Sequence, residues 1–313
     1  MKNIRQYIFI SLLLAATVAC KKEDDITPEA PAPNLFYPDA SATDKHAQLC
    51  RDFYAETGCY LLFNDTLKHE HIGTDRYGNP LYSTELLDLT YSITNSVQWK
   101  FDFNYSTDYQ HELQATEVLK NDILSAIDKR YHPYAFLLVD NFITYTYMVE
   151  EGEVTGLWFG PYKTETYYIG ERAILMSIDA LLQNKEALKN DFLRVLLEKQ
   201  LTTAVLKDFY APGEQYYGKY EITGFIDHDD FLKQTGILAS DVYTSPTYGD
   251  DGSIINITYY SASSNTADLK KFLDPLLAGE EEEFMTEYEA FPIVLNKFNM
   301  LKEIVLDLGF NIN

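Results

Sequence analysis

The first 25 residues constrain this chain more than any other segment does. A basic start, Lys2 and Arg5, precedes an apolar run from Tyr7 to Ala16, and small residues follow that run. The run is too short to span a bilayer as a helix, and the order basic, apolar, small is the pattern of a secretory signal peptide. We therefore expect residues 1–19 to be removed on export, and the rest of the chain to fold outside the cytoplasm.

A cysteine directly follows the small residues. Thr17, Val18 and Ala19 precede Cys20, at the position where lipoprotein processing attaches lipid to a thiol and makes that cysteine the new N-terminus. Thr17 departs from the usual pattern, which has leucine there. Several acyl chains on one residue anchor a protein stably, whereas one chain does not. The sequence predicts lipidation of Cys20, and an ordinary signal peptide or an N-terminal helix is the alternative.

The residues after Cys20 indicate where such an anchor would lie. Lys21-Lys22-Glu23-Asp24-Asp25 resembles the signal that sends lipoproteins of the Bacteroidota to the outer face of the outer membrane. The segment 21–36 is rich in charge and proline, which is typical of a flexible spacer. We expect a cell-surface protein that has a lipid anchor and linker over residues 20–36 and a single globular domain over residues 37–313.

Strong acidity narrows the choice of partners. The chain has 48 acidic against 25 basic residues and a formal net charge of −23 at pH 7. Phosphate backbones and anionic lipid surfaces repel such a body, so we expect no nucleic-acid partner. The run from Glu280 to Glu283 is either a solvated start of a helix or a group of Ca²⁺ ligands.

Two cysteines remain once Cys20 is assigned to the anchor. Cys50 and Cys59 lie nine positions apart, at the end of a predicted helix and at the start of a predicted strand. A disulfide between them requires the turn at Gly58 to bring them close together. Two buried free thiols are the alternative.

The hydrophobic pattern predicts strands early in the chain and helices later, which favours an α+β fold with a mixed sheet. A helix capped by Thr43 is expected to end at Gly58, and a hairpin is expected around Asp250-Asp251-Gly252. The other predicted helices are 108–129, 171–183, 187–208, 265–278 and 292–308, and the predicted strands are 59–64, 97–103, 135–139, 143–149, 156–159 and 164–169.

This order of elements resembles the zinc metallopeptidase lipoproteins of the Bacteroidota. The resemblance rests on the lipidation motif, on Arg51–Tyr54 leading into Tyr60–Phe63, on a helix at 171, and on the C-terminal segment from Asn296 to Ile312. Members of that family accompany TonB-linked importers and SusD-like proteins of glycan utilisation. The resemblance implies a zincin-like body, in which a mixed sheet is followed by helices.

The motif that gives this family its chemistry is absent from the sequence. In His-Glu-x-x-His, two imidazoles one helical turn apart bind zinc and the glutamate activates water. At the corresponding positions this chain has Leu175, Met176 and Asp179, and only Asp268 remains of a later acidic motif. Leucine and methionine neither bind hydrated zinc nor transfer a proton. The resemblance therefore implies the fold without the catalytic residues, the metal or any other cofactor.

Two other groups of histidines and acids have open interpretations. His69 and His71 are either metal ligands or part of a solvated loop. The segment Asp227-His228-Asp229-Asp230 either caps a helix or binds an ion.

Tyrosine is abundant, with 25 residues in the chain. Exposed aromatic faces stack on sugar rings, and the tyrosine hydroxyl adds a hydrogen bond. A surface for a glycan or peptide ligand is therefore predicted at Tyr210, Tyr216, Tyr217 and Tyr220, with packing in the core as the alternative.

These observations lead to one functional expectation. The chain is expected to be a cell-surface lipoprotein that acts as a non-catalytic binding or scaffolding subunit beside a TonB-dependent transporter or SusD-like protein. The alternatives are a metal-dependent hydrolase with an unrecognised site and a protein that binds glycans directly.

Overall fold

The computed structural model describes residues 34–90, 98–148, 157–160 and 166–312. The predicted signal peptide, Cys20 and nearly all of the linker lie outside these ranges. Contacts group the chain from Phe36 to Asn313 into one unit. Within the described ranges, no helix has the length and apolar character needed to cross a membrane.

The element order begins with α1 and β1 and ends with three consecutive helices. The strands are β1 Tyr60–Leu62, β2 Thr66–Thr74, β3 Pro80–Leu86, β4 Gln98–Asn104, β5 Ala135–Val139, β6 Asn141–Met148, β7 Leu157–Phe159, β8 Tyr167–Ile169, β9 Ile174–Ser177, β10 Ser240–Tyr248 and β11 Ile254–Ala262. The α-helices are α1 Lys45–Thr57, α2 Tyr109–Val118, α3 Ile178–Gln183, α4 Lys185–Gln200, α5 Lys207–Tyr210, α6 His228–Thr235, α7 Asn265–Ala278, α8 Glu281–Glu287 and α9 Pro292–Asp307.

The central sheet has the strand order β1-β5-β9-β8. Strands β1, β5 and β9 are parallel, and β8 is antiparallel to β9. Every residue of β5 is buried, because a central parallel strand is covered on both faces, and its sequence is accordingly a continuous apolar run. The mixed sheet and the helices that follow it confirm the predicted α+β class.

Alternate residues of the central strands supply two separate cores. Phe136, Leu138 and Met176 belong to the larger core, with the helices. Leu137 and Leu175 point to the other face and pack in a second core. This division follows from the two-residue period of a β-strand. The second core also contains rings of the three-stranded sheet β4-β6-β7.

The ends of α1 show how local chemistry sets the boundaries of an element. The Asp44 carboxylate accepts hydrogen bonds from the backbone N–H groups of His46 and Ala47, so Asp44 is the N-cap and Thr43 is not. Gly58 ends the helix with φ of 78°, a left-handed conformation that glycine adopts without strain. The predicted end at Gly58 is confirmed, and the predicted cap was wrong by one residue.

The predicted helix 171–183 was wrong in its first half. Residues Ile174–Ser177 form β9, and Ser177 then caps the short helix α3. An apolar run of this length suits a buried strand or a buried helix equally well. Pairing decides between them, because β5 and β8 bind the two edges of β9. Leu175 and Met176 therefore lie on a central strand and not on a helix.

Two hairpins form two-stranded sheets of their own, β2-β3 and β10-β11. The turn of the second hairpin contains Asp250, Asp251 and Gly252, as predicted, and its strands keep one register from Ser240↔Ala262 to Tyr248↔Ile254. Isolated two-stranded hairpins are marginally stable in water. Most residues of these four strands are exposed, so their faces are candidates for contact with another molecule.

Candidate functional site

The three positions that correspond to the zinc motif are dispersed over different environments. Leu175 and Met176 are fully buried on opposite faces of β9. Asp179 lies in the first turn of α3, where its carboxylate accepts a hydrogen bond from the Asn141 side chain at 3.2 Å. In the described part of the chain, no group of three or more His, Cys, Asp or Glu side chains is arranged to hold a metal ion.

Asp268, the remaining residue of the acidic motif, is enclosed in the core. Its Oδ2 lies 2.7 Å from Lys297 Nζ and accepts a hydrogen bond of 2.6 Å from the Tyr217 hydroxyl. Its Oδ1 accepts from the backbone N–H groups of Leu238, at 2.7 Å, and Ala239, at 3.2 Å. Four donors satisfy the carboxylate, so it has no capacity left for a ligand.

Lys297 completes this arrangement from α9. Its ammonium donates to Asp268, to the Gly236 carbonyl at 2.8 Å and to the Tyr217 hydroxyl at 3.1 Å. Nζ also lies 4.4 Å from the centre of the Phe209 ring. Burial lowers the pKa of Lys297, and Asp268 opposes that shift. A lysine uses three donors at most, so the pair joins α7, α9 and two loops and has no free valence for chemistry.

The sequence contains a signal that would have predicted the burial of Lys297. Val294, Phe298 and Leu301 form a buried stripe on α9, and Lys297 falls within that stripe. A lysine on an apolar helix face is rarely buried without a partner. The sequence position therefore pointed to an internal ion pair.

The four tyrosines of the predicted surface lie in different environments. Tyr210 is buried, and burial raises its pKa to about 12. The Tyr217 hydroxyl is committed to Asp268, and the Tyr216 ring packs against Phe225 and Phe231. Tyr220 alone of the four predicted residues is mostly exposed, at 78%. The loop folds inward because the Tyr217 hydroxyl hydrogen-bonds with Asp268 and the Tyr216 ring packs against apolar rings.

Cys50 and Cys59 are free and buried. The structure therefore contains two buried free thiols and not the disulfide that was the other alternative. Burial raises the pKa of Cys50 to about 12 and that of Cys59 to about 11. A thiol is nucleophilic as the thiolate. The raised pKa values of both side chains therefore favour the thiol over the nucleophilic thiolate at neutral pH.

The histidine groups of open interpretation have structural contacts. His69 stacks on Tyr82, with ring centres 4.6 Å apart, and contacts the Thr84 hydroxyl. The Asp227 carboxylate accepts from the backbone N–H of Asp230, so this segment caps α6. The capping interpretation is confirmed.

One acid–histidine pair was missed by the sequence analysis. The Glu112 carboxylate, almost completely buried in the first turn of α2, lies 2.7 Å from Nε2 of the half-exposed His46. Desolvation raises the pKa of Glu112, and His46 opposes this shift. The His46 ring lies 6.1 Å from the ring of Phe63, which directly follows β1, and the charge of Asp140, which directly follows β5, acts on Glu112. A buried carboxylate behind an accessible imidazole fixes the orientation of the ring.

The exposed apolar side chains of the described ranges concentrate on the two hairpins. On β2–β3 these are Ile72, Tyr77, Leu81, Tyr82 and Leu86. On β10–β11 they are Val242, Tyr243, Tyr248, Ile254 and Ile255. Contiguous exposed apolar residues are characteristic of interaction surfaces.

Charge distinguishes the β10–β11 hairpin from the rest of the molecule. Its charged residues are Asp241, Asp250 and Asp251, and no lysine or arginine occurs between Lys233 and Lys270. The hairpin therefore presents apolar and hydroxyl side chains with acids at its base and tip.

Comparison with known proteins yields no relative, since neither family models, curated protein sequences nor solved structures match this chain.

Proposed function

We propose that this chain is a lipid-anchored protein of the cell surface that binds a partner protein of an outer-membrane nutrient import system, without catalysing a reaction. The observation that carries this proposal is the pair of hairpins with exposed apolar residues on a body in which the buried Asp268 and Lys297 are already paired with each other.

The location is proposed from the N-terminal sequence. The apolar run ending at Ala16, the small residues after it and Cys20 support export and lipidation. Lys21-Lys22-Glu23-Asp24-Asp25 supports the outer face of the outer membrane. A TonB-dependent transporter or a SusD-like protein as the partner, and a zincin-like origin of the fold, come from the resemblance of the element order to the metallopeptidase lipoproteins.

The absence of catalysis is proposed from the chemistry of the candidate positions. Leu175 and Met176 are aliphatic and thioether side chains inside a sheet, and Asp268 is neutralised by Lys297. The His46–Glu112 contact places an imidazole beside a carboxylate. A hydrolase would also need a nucleophile or an activated water at this pair, and the nearby thiol of Cys50 has a pKa of about 12.

Location and anchoring are tested on intact cells. Palmitate labelling of the wild-type chain and of Cys20→Ala reports the lipid, and protease added to whole cells reports exposure. We expect labelling that Cys20→Ala abolishes, and digestion without permeabilisation. A chain that resists protease until the outer membrane is opened would contradict the surface location.

Partner binding is tested by purifying the full chain from gently solubilised outer membranes and identifying a stoichiometric transporter or SusD-like protein. The hairpin variant Ile72→Ser/Leu81→Ser is expected to reduce the yield of the complex. The matched control is Val205→Ser, which changes an exposed apolar residue outside both hairpins. An equal reduction by the control would contradict the role of the hairpins.

A direct glycan binder is a second candidate, favoured by the exposed rings of Tyr77, Tyr220 and Tyr248. It predicts retention on a polysaccharide gel that is lost in the corresponding alanine variants. Stoichiometric zinc together with chelator-sensitive hydrolysis by the purified chain would instead contradict the non-catalytic role.

A further inference from the structure

Hydrogen bonds at the two ends of the β10–β11 hairpin show which backbone N–H and C=O groups face the partner strand and which face outward. Near the turn, the Gly249 N–H donates to the Ser253 carbonyl at 2.8 Å, and at the base the Ser263 N–H donates to the Ala239 carbonyl at 2.8 Å. In an antiparallel pair, every second residue directs its N–H and C=O to the partner strand and the others direct them away. The odd-numbered residues of β11 therefore bond to β10, and the even-numbered residues face outward.

The base of this outward edge is already occupied by the chain itself. Tyr260 and Ile222 exchange two backbone hydrogen bonds of 2.9 Å, forming an antiparallel bridge. The Ala262 N–H donates to the Lys219 carbonyl at 3.0 Å. The outer edge of β11 thus accepts an extended segment in the folded protein.

Beyond Tyr260 the same edge continues without a partner. Among the described residues, none forms a backbone hydrogen bond to the outward groups of Ile254, Asn256 or Thr258. These three residues are exposed, and the segment from Ile254 to Thr258 contains neither charge nor proline. Folded proteins protect edges of this kind with lysine, proline or a covering element, because an open edge is a template for strand addition.

The opposite edge of the hairpin has that protection. Pro246 on β10 is the register partner of Asn256, so it occupies an outward-facing position on the outer edge of β10. Proline has no N–H, and its presence there removes a donor from the edge without breaking the ladder. One edge of the hairpin is therefore blocked and the other is open.

Charge decides between a second copy of this chain and a different protein as the occupant. Asp250 and Asp251 lie at the tip beside the open edge, no basic residue occurs on the hairpin, and the whole chain carries a formal charge of −23. Two copies would bring like charges together, which opposes association, whereas a basic segment is attracted.

We propose that the outer edge of β11, from Ile254 to Thr258, binds an extended, lysine- or arginine-bearing segment of a partner protein as an added β-strand. The main-chain hydrogen bonds continue the bridge that Ile222 makes with Tyr260, and the acids at the tip select a basic partner. This inference rests on the proposed function only in taking the partner to be a protein.

A peptide assay tests the proposal with the detergent-solubilised full chain. The probe is the fluorescein-labelled peptide Lys-Thr-Val-Thr-Val-Thr-Lys, and binding is followed by fluorescence anisotropy. We expect saturable binding of this peptide. The peptide with glutamate in place of lysine is expected to bind at least about tenfold more weakly, because opposite charges across an interface favour association and like charges disfavour it. The basic peptide with alternate amides N-methylated is expected not to bind, since it lacks donors for the edge.

Two proline variants of the protein form a matched pair. Asn256→Pro removes an outward N–H from β11, and Thr244→Pro removes one from the already blocked edge of β10. We expect Asn256→Pro to weaken peptide binding at least about tenfold, since strand addition relies on main-chain hydrogen bonds, and Thr244→Pro to leave it unchanged. Circular dichroism verifies that both variants fold, and the N-methylated peptide tests the same hydrogen bonds on the unaltered protein.

Several outcomes would overturn the proposal. These are no saturable binding of the basic peptide at millimolar concentration, equal binding of its N-methylated form, and equal effects of the two proline variants. A dimer of the wild-type chain in sedimentation that Asn256→Pro dissolves would make a second copy the occupant instead. All of these measurements use purified protein, so their failure is distinct from failure of the cell-surface and complex experiments above.

Discussion

Lys297 Nζ lies 2.7 Å from Asp268 Oδ2, and through this contact α9 and α7 meet at an ion pair whose side chains are 1% and 0% exposed. Removing one member of a buried pair leaves the other as an uncompensated charge. Removal of either member of this pair is therefore expected to lower the free energy of unfolding more than disruption of a surface ion pair on the same helices.

The first prediction concerns the cation of this pair. Lys297→Met keeps the length of the side chain and removes its charge, and we expect the free energy of unfolding to fall by about 3–5 kcal/mol. Adding Asp268→Asn is expected to recover part of that loss, because the carboxylate charge is then gone. Urea unfolding followed by circular dichroism measures both changes.

The control for this prediction is Lys302→Met on the same helix. Lys302 pairs with Glu281 at the surface, and exposed pairs contribute about 1 kcal/mol or less. If Lys297→Met lowered stability no more than Lys302→Met does, the buried pair would not be a structural support.

The second prediction concerns the hydroxyl shared by both charges. Tyr217→Phe removes a hydroxyl that donates to Asp268 and accepts from Lys297. The buried carboxylate and ammonium then each lose one hydrogen-bond partner. We expect a loss of about 1–3 kcal/mol in the free energy of unfolding, measured by thermal and urea unfolding. Tyr220→Phe is the matched control, since this exposed tyrosine should tolerate the change within about 0.5 kcal/mol; equal losses in the two variants would disprove the assignment.

The third prediction concerns pH and Glu112. Desolvation raises the pKa of this carboxyl in the folded state, so between the unfolded and the folded pKa the native state binds more protons than the unfolded state. Stability then falls as pH rises through that window, and Glu112→Gln removes this dependence. We expect the free energy of unfolding of Glu112→Gln, relative to wild type, to increase as the pH rises above about 4.3. Urea unfolding at a series of pH values measures this difference.

Glu117→Gln on the same helix provides the opposite sign. A hydrogen bond from Lys120 lowers the pKa of Glu117, so its contribution is present above the unfolded pKa and is lost as pH falls through the folded pKa. This variant is expected to lose stability relative to wild type as pH rises. Parallel pH profiles for the two variants would contradict the assignment for Glu112.

The fourth prediction concerns the thiols. Cys50 and Cys59 are buried with raised pKa values of about 12 and about 11, so in a Cys20→Ala background we expect no rapid reaction of the native protein with Ellman's reagent and two thiols after denaturation. Ser253→Cys, in the exposed turn of β10–β11, supplies a reactive control in the native state. Failure to detect two thiols in denaturant without reductant would indicate a disulfide and contradict the structure.

Periodicity predicted those elements in which neighbouring residues alone decide the conformation. The alternation of Trp99, Phe101 and Phe103 with polar residues predicted β4, and the glycine at 58 predicted the end of α1. In both cases the determining chemistry is local, because it consists of a two-residue pattern and of a left-handed backbone conformation.

The features that the sequence did not predict depend on distant residues. Met176 became part of a strand because β5 and β8 supply its hydrogen-bonding partners. Tyr217 turned inward because Asp268 and Lys297, 51 and 80 positions away, form a polar group that its hydroxyl completes. The pairing of His46 with Glu112 likewise spans two helices. The hydrophobic pattern of a single segment carries no information about such contacts between distant residues.

Pro246 sets a limit on how this protein assembles. A continuous sheet of hairpins from many molecules would require each hairpin to accept a neighbouring strand on both of its edges. Pro246 has no N–H, so the outer edge of β10 lacks one of the donors that such a neighbour needs. We therefore expect strand addition at this hairpin to stop after one partner, so that fibres do not grow from it.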